Sequence, residues 1–201
     1  MNDLLHVYET KEESLKAYNI SICNHIQNIK KAFNVFGKLF CDALNLDINE
    51  LEMLINIHDK SKMLNQDEID GYLIHNFPYK DSNIPFNSYG LRRCIYEKAL
   101  LSHYHSNPHH PEYWVMIKNN SLLPMPMEKI YICEMVLDWI ANSVDENTNA
   151  KEYWRLNRNR KLLHHDTIDI IDQLIDLIDP IDFDKLDLKN CLDIDVHADG
   201  V

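Results

Sequence analysis

Apolar residues in the first quarter of the chain recur at steps of three and four positions. Within residues 21–43 the recurring positions are Ile22, Ile26, Ile29, Phe33, Phe36 and Phe40. This spacing is the period of one helix face and predicts a long amphipathic helix. His25 lies three residues after Ile22 and four before Ile29, so it shares the apolar face. Residues 9–20 form either a separate first helix or the beginning of the same one.

A second helix is predicted to begin near Asp47. Asp47 is an N-cap residue type, and Glu50 three residues later completes a capping-box pattern. The apolar stripe of this helix consists of Ile48, Leu51, Leu54 and Ile55. Continued by one turn the stripe reaches His58, and after one more turn it reaches Lys62.

The rest of the chain shows the helical period in shorter segments. We predict helices over residues 66–75, 89–105, 149–163 and 167–178. Pro124 and Pro126 are predicted to open another helix that runs to about residue 143, because proline suits a first helical turn. Residues 75–85 are rich in Asn, Pro and Ser and predict a loop, and residues 76–90 could act as a lid. No segment is predicted as a strand, so the expected fold class is all-α.

The charge balance limits the classes of partner. Lys and Arg number 20 and Asp and Glu number 32, which gives a net charge of −12. Non-specific nucleic-acid binding needs a basic surface, and so does binding to an anionic membrane. We therefore expect neither partner.

Glycine and cysteine exclude several kinds of site. The four glycines are far apart, which excludes a P-loop and a dinucleotide-binding fingerprint. The five cysteines include no CxxC pair, which argues against a disulfide framework and a thiolate zinc site. Neither a signal peptide nor an apolar run long enough to span a membrane is recognisable. We expect a cytoplasmic protein.

Histidines and carboxylates supply the candidate chemistry. The chain has 11 histidines, and four fall close together: His103, His105, His109 and His110. His58 and Asp59 end an apolar stripe, where a buried carboxylate needs a partner or a metal. Asp138 lies among apolar neighbours, with Glu134 one helical turn before it. With His25, these side chains come from separate predicted helices, which is how helical proteins build metal sites.

The order His25, His58-Asp59, Asp138 resembles the H…HD…D motif of the HD-domain metal-dependent phosphohydrolase superfamily. Residues 58–62, HDKSK, are also similar to the HDxxK form of that motif. A closer resemblance is to an uncharacterised bacterial and phage family of HD-like proteins, DUF5662. It is carried by HDKSK, by HxHxNPHHPEYW over residues 103–114 and by PMPMEKIYICEMVLDWI over residues 124–140.

The resemblance implies a metal site with one or two ions. The implied ligands are His25, His58, Asp59, His103, His110 and Asp138. Asp59 would bridge two ions, and His103 and His110 would hold the second. A set of nitrogen and oxygen ligands without sulfur suits Fe, Mn, Ni, Co or Zn, with Mg as an alternative.

Other residues are assigned to the substrate and to catalysis. Lys62 is expected to hold a phosphate oxygen and, with Glu134, to take part in catalysis. Glu134 either orients a ligating histidine or pairs with a basic side chain. His105 and His109 are expected to face the substrate, and they are also the alternative ligands for the second ion. The spacing of only seven residues from His103 to His110 leaves open whether His109 and His110 bind metal or substrate.

The resemblance also sets expectations for fold and function. We expect an HD-domain-like helical bundle over residues 1–165, with its metal site between inward-facing helices, and a C-terminal helix and acidic tail over residues 166–201. The expected function is hydrolysis of a nucleotide or other small phosphoester by a metal-bound hydroxide. The alternatives are a diiron oxygenase-like HD enzyme and a non-catalytic protein that binds a nucleotide or a partner. A second copy of the chain is an open option as partner.

Overall fold

The fold is a bundle of helices with one small hairpin. The structure is a computed structural model and describes residues 6–85, 88–145 and 148–178. The described residues form eight α-helices: α1 (Lys11–Leu44), α2 (Ile48–Ile57), α3 (Ser61–Leu64), α4 (Gln66–Asn76), α5 (Tyr89–Ser106), α6 (Lys129–Asp145), α7 (Ala150–Asn157) and α8 (His165–Leu177). A 3-10 turn at Pro111–Trp114 leads into strands β1 (Val115–Lys118) and β2 (Ser121–Pro124). The predicted all-α fold class is confirmed.

The first helix is one continuous element of 34 residues, so residues 11–20 belong to it rather than to a separate helix. Thr10 caps it: the Thr10 hydroxyl accepts from the Glu13 backbone, and the Glu13 carboxylate accepts from the Thr10 backbone. The helix ends at Asn45, whose φ of 55° is left-handed.

The second helix ends earlier than its apolar stripe predicts. It stops at Ile57, His58 is the C-cap, and Asp59 has a left-handed φ of 55°. The predicted continuation to Lys62 is therefore wrong, because a left-handed residue interrupts an α-helix. Helix α3 restarts at Ser61. The break turns both His58 and Asp59 into the interior, where they are 3% and 2% exposed.

Two apolar clusters meet beside α1. The larger joins α1 and α2 to α6, α7 and α8, and the smaller joins α1 to α4 through residues such as Tyr18 and Tyr72. Ile22 belongs to the smaller cluster and Ile29 to the larger one. His25 lies between these two positions on α1. The boundary between the two apolar clusters therefore leaves a place in the interior for polar side chains.

The hairpin after the histidine cluster was not predicted. Strand β1 pairs antiparallel with β2, and Asn119 and Asn120 form the turn with φ values of 51° and 59°. Two left-handed residues make a two-residue hairpin turn, and Asn tolerates that conformation. The prediction that Pro124 and Pro126 open a helix is wrong. Pro124 pairs with Val115 at the end of the hairpin, and α6 begins only at Lys129.

The remaining boundaries agree or shift by part of a helix. Helices α4, α5 and α8 match their predicted segments within a few residues, whereas α7 ends at Asn157, well before residue 163. In the loop predicted as a lid, the Tyr8 backbone pairs with Pro78 and Lys80, and residues 86–87 lie outside the described residues. Closure of this loop stays a prediction.

The predicted domain boundary falls at the beginning of α8. Ile171, Leu174 and Ile175 of α8 belong to the larger core cluster, so this helix packs on the bundle. The predicted acidic tail, residues 179–201, lies outside the described residues. Among the described helices, none has both the length and the apolar character to cross a membrane.

Candidate metal centre

Imidazoles and carboxylates from five parts of the chain converge on one buried region. Helix α1 supplies His25, the break after α2 supplies His58 and Asp59, and α5 supplies His103 in its last turn. The loop after α5 supplies His109 and His110, and α6 supplies Glu134 and Asp138. Every one of these side chains is buried or half-buried.

The first group consists of His25, His58 and Asp138. The Nε2 atom of His25 lies 3.0 Å from Asp138 Oδ1 and 3.3 Å from His58 Nε2. The His58 Nε2 atom lies 3.6 Å from Asp138 Oδ1. Asp59 Oδ2 closes the group at 3.6 Å from His58 Nε2 and 3.8 Å from His25 Nε2.

The second group consists of Asp59, His103, His109 and His110. Asp59 Oδ1 lies 3.3 Å from His103 Nε2 and 3.6 Å from His109 Nε2. The Nε2 atoms of His103 and His110 are 2.9 Å apart. Asp59 thus presents one carboxylate oxygen to each group, so its carboxylate could be shared between two ions.

These separations fit ligands that share a cation. Two donors about 2.1 Å from one ion lie roughly 3.0–3.4 Å apart in octahedral or tetrahedral geometry. Most of the donor separations in the two groups lie within a few tenths of an ångström of that range. The chemistry of the donors, imidazole nitrogen and carboxylate oxygen, suits divalent transition metals.

Two of the atoms in the second group that could ligate a metal also lack hydrogen bonds. Asp59 Oδ1 and His109 Nε2 are buried and have no hydrogen-bond partner among the described residues. A buried polar atom without a partner costs about 1–3 kcal/mol, so such atoms need an explanation. A cation bound between them would satisfy both. The residues of this region therefore fit a metal.

Glu134 orients two of the histidines. The Nδ1 atom of His58 donates to Glu134 Oε1 at 2.9 Å, and His109 Nδ1 lies 3.3 Å from the same oxygen. Because the carboxylate accepts at Nδ1, each ring keeps its Nε2 lone pair for the centre. Of the two roles expected for Glu134, the structure favours orientation of ligating histidines.

Glu68 plays the same part for His103, and the sequence did not single it out. Its Oε2 atom accepts from His103 Nδ1 at 3.0 Å and from the Ser61 hydroxyl at 2.9 Å. Asn107 Nδ2 lies 3.0 Å from the same Nδ1 atom. Glu68 shares a helix face with Tyr72, which was a weak sign of burial. Only the packing of α4 on α5 brings Glu68 to His103.

The electrostatics of the region are governed by its buried carboxylates. Burial lowers the pKa of His58, but Asp59, Asp138 and Glu134 outweigh this effect and raise it to about 10. Burial raises the pKa of Asp59, yet neighbouring positive charge, that of His58 first, holds it well below its usual range. Burial and the two adjacent imidazoles lower the pKa of His110 to about 2. His110 is therefore neutral, the state that binds a metal.

The remaining predicted site residues lie in different places. Lys62 Nζ donates to Asp59 Oδ2, so its charge is directed at a candidate ligand. His109, expected at the substrate, lies in the second ligand group. His105 is exposed at the end of α5 and belongs to neither group, because it faces away from His103 on the same helix. The six predicted ligands belong to the two groups of side chains that could hold a metal ion: His25, His58, Asp59, His103, His110 and Asp138.

A cavity of about 350 Å³ lies beside the two groups. His109, His110 and Asp138 line it, so its lining includes candidate ligands. Tyr104, Trp139, Tyr153 and Lys161 are among the other lining residues. This volume is at the small end of the range for ligand pockets, which is about 300–1,000 Å³.

One protein family matches the chain. The sequence model of DUF5662, a family of unknown function, matches residues 14–177. The chain belongs to the DUF5662 family. The match begins in α1 and ends at the last residue of α8, so in this DUF5662 member it includes every candidate ligand.

The other comparisons give no further relatives. Neither a curated protein nor a solved structure matches this DUF5662 member. Arguments about its activity therefore rest on the geometry of the candidate centre.

Proposed function

We propose that this DUF5662 member is an HD-domain phosphohydrolase that uses two metal ions to cleave a small phosphoester, such as a nucleotide. The observation that carries the proposal is the position of Asp59, with one carboxylate oxygen in each of two histidine-rich groups. Two-metal sites of this kind serve phosphoryl transfer because they clamp the attacking and the leaving oxygen.

The order of the ligands along the chain supports membership of the HD-domain superfamily. His25 precedes the adjacent pair His58-Asp59, and Asp138 comes last. These four side chains lie within a few ångströms of one another although they come from two helices, α1 and α6, and from the break after α2. A chance HD pair would not be expected to have both distant partners of the motif beside it.

The residues divide into two ligand sets. His25, His58, Asp138 and one oxygen of Asp59 would hold the first ion. His103, His109, His110 and the other oxygen of Asp59 would hold the second. Divalent ions at these positions supply Lewis-acid activation of water and of a phosphoryl oxygen.

Three charged side chains next to the ligands, Glu134, Glu68 and Lys62, support this centre. Glu134 and Glu68 fix the rings of His58, His109 and His103 with their Nε2 atoms inward. Lys62 compensates part of the buried negative charge at Asp59. Dications would compensate the remainder and allow an anionic substrate to approach a protein of net charge −12.

The four described cysteines, Cys23, Cys41, Cys94 and Cys133, are free thiols. Free thiols are typical of a reducing compartment. We therefore propose that the enzyme acts in the cytoplasm.

The test is hydrolysis of p-nitrophenyl phosphate by the full chain loaded with Mn, Co, Ni, Fe or Zn. We expect turnover with at least one metal and a loss of at least about 100-fold in Asp59→Asn, because a shared ligand is removed. Asp67→Asn, an exposed carboxylate on α4, is the matched control and should keep full activity. Equal activity of the Asp59→Asn variant and the wild type, with folding intact, would overturn the proposal.

A further inference from the structure

Lys161 lies on the wall of the cavity that borders the candidate metal centre. Its Nζ atom is 5.5 Å from the centre of the Trp139 ring and 5.6 Å from that of the Tyr153 ring. Both distances are within the range of a cation–π contact, so the rings hold the ammonium in place. No carboxylate of the described residues forms an ion pair with Lys161. The charge of Lys161 therefore lies against the aromatic rings of the cavity wall, without a carboxylate partner among the described residues.

Lys62, the lysine that the sequence assigns to substrate phosphate, is in a different situation. Its Nζ atom is bonded to Asp59 Oδ2, and Asp59 holds the pKa of this lysine above its ordinary value against the effect of burial. A phosphate would have to compete with that buried carboxylate. Lys62 does not line the cavity, whereas Lys161 does.

The cavity lining indicates what could bind there. Its aromatic side chains, Tyr104, Trp139 and Tyr153, give the cavity an apolar part of its wall. Its charged groups besides Lys161 are Asp138, Glu112 and the neighbouring histidines. Glu112 is exposed, so water screens it, and Asp138 would be neutralised by a metal. An ammonium among aromatic rings beside a metal centre suits a small organic anion.

We propose that Lys161 is the substrate-binding lysine of this site, and that it bonds an anionic oxygen of a small phosphomonoester whose organic part lies in the cavity. This inference rests on the proposed function. The volume of about 350 Å³ suits a single small molecule. Lys62 is then a positioning residue for Asp59.

The test compares three variants of the metal-loaded full chain. Lys161→Met keeps an unbranched side chain on the two rings and removes the charge, and Lys161→Arg keeps the charge. Lys38→Met is the control, because it removes the charge of an exposed lysine that does not line the cavity. Inorganic phosphate binding is measured by titration calorimetry. KM and kcat are measured with p-nitrophenyl phosphate.

We expect Lys161→Met to weaken phosphate binding and to raise KM by about tenfold, the usual size of one charge-assisted hydrogen bond. Lys161→Arg should restore most of the affinity, and Lys38→Met should change neither value. Phosphate should also protect Lys161 of the wild type from acetylation by acetic anhydride, as measured by mass spectrometry. This readout does not depend on turnover.

The outcomes separate this inference from the proposed function. If Lys161→Met folds and has wild-type phosphate affinity and KM, Lys161 is not the anion-binding residue, and the hydrolase proposal is unaffected. If the wild type shows no turnover with any metal but phosphate binds and Lys161→Met weakens that binding, the anion site is supported and the hydrolase proposal fails.

Discussion

At the scale of single residues, the centre depends on the conformation of Asp59. A left-handed φ is uncommon outside glycine, although Asp tolerates it better than most residues. In this protein the strained position directs one side chain into two ligand groups. Strain of this kind is often found at functional sites, where the surrounding packing enforces it.

Glu68 should control the second group of ligands through His103. In Glu68→Ala the ring loses its acceptor at Nδ1, and we expect metal affinity at the second group to fall by about 10–100-fold. Glu68→Gln, which keeps an acceptor without the charge, should have a smaller effect. Metal titration of the purified variants measures this change. Asp67→Asn on the same helix is the control, and unchanged affinity in Glu68→Ala would show that His103 needs no orientation.

The stability of the metal-free protein should depend on the protonation of His58. Its pKa is raised from an ordinary value of 6.5 to about 10 by the surrounding carboxylates, which outweigh burial. A raised pKa stabilises the fold fully below pH 6.5, and this contribution is lost as the pH rises through about 10. We expect the free energy of unfolding in chelator to fall between pH 7 and 10. Denaturant titrations should show a smaller fall in His58→Gln; equal pH dependence of the two proteins would contradict this role.

At the scale of elements, helices were predictable and the breaks between them were not. Long apolar stripes determine α1 and α8 almost independently of the rest of the chain. Helix α2 ends instead where His58 and Asp59 turn into the two ligand groups. No local sequence pattern marks this end. The hairpin did carry a signal, since Asn119-Asn120 lies between apolar residues, but four-residue strands are too short for a clear period of two.

Helices α4 and α5 pack so closely at Gly71 that a single added methyl group tests their contact. A Cβ atom added at Gly71 would lie 2.3 Å from the Cβ of Ala99, so Gly71→Ala forces the two helices apart. We expect a loss of about 1–3 kcal/mol in stability, together with weaker metal binding, because Glu68 and His103 lie on these helices. Gly90→Ala is the matched control, since nothing lies within 4 Å of its added Cβ.

Thermal unfolding and metal titration measure both effects of Gly71→Ala. The control should be neutral or slightly stabilised, because alanine suits a helix better than glycine. A Gly71→Ala protein as stable as Gly90→Ala would mean that the two helices can separate without cost.

At the scale of the whole molecule, the sequence predicted most side chains of the candidate centre but not the full set. Helical periodicity and the resemblance to the HD motif together singled out His25, His58-Asp59 and Asp138 as candidate ligands. The role of His109 stayed open between substrate and metal, because the spacing of seven residues from His103 to His110 favours neither. The turn that follows α5 brings both His109 and His110 to His103, and this arrangement exists only in the folded chain.

The identity of the metal separates the functional alternatives at this scale. Two irons with turnover that requires O₂ would favour the oxygenase-like alternative over hydrolysis. Manganese, nickel, cobalt or zinc with phosphatase activity would favour the phosphohydrolase. Tight binding of a nucleotide without turnover across all these metals would favour a binding protein.

The two ligand groups, which share Asp59, should hold two ions. Elemental analysis of the full chain, purified without chelator or a metal-affinity tag and then reconstituted, measures this directly. We predict about two divalent transition ions per chain, and fewer in Asp59→Asn because the bridging ligand is lost. A chain that contains no metal as purified and takes up none on reconstitution would contradict the account.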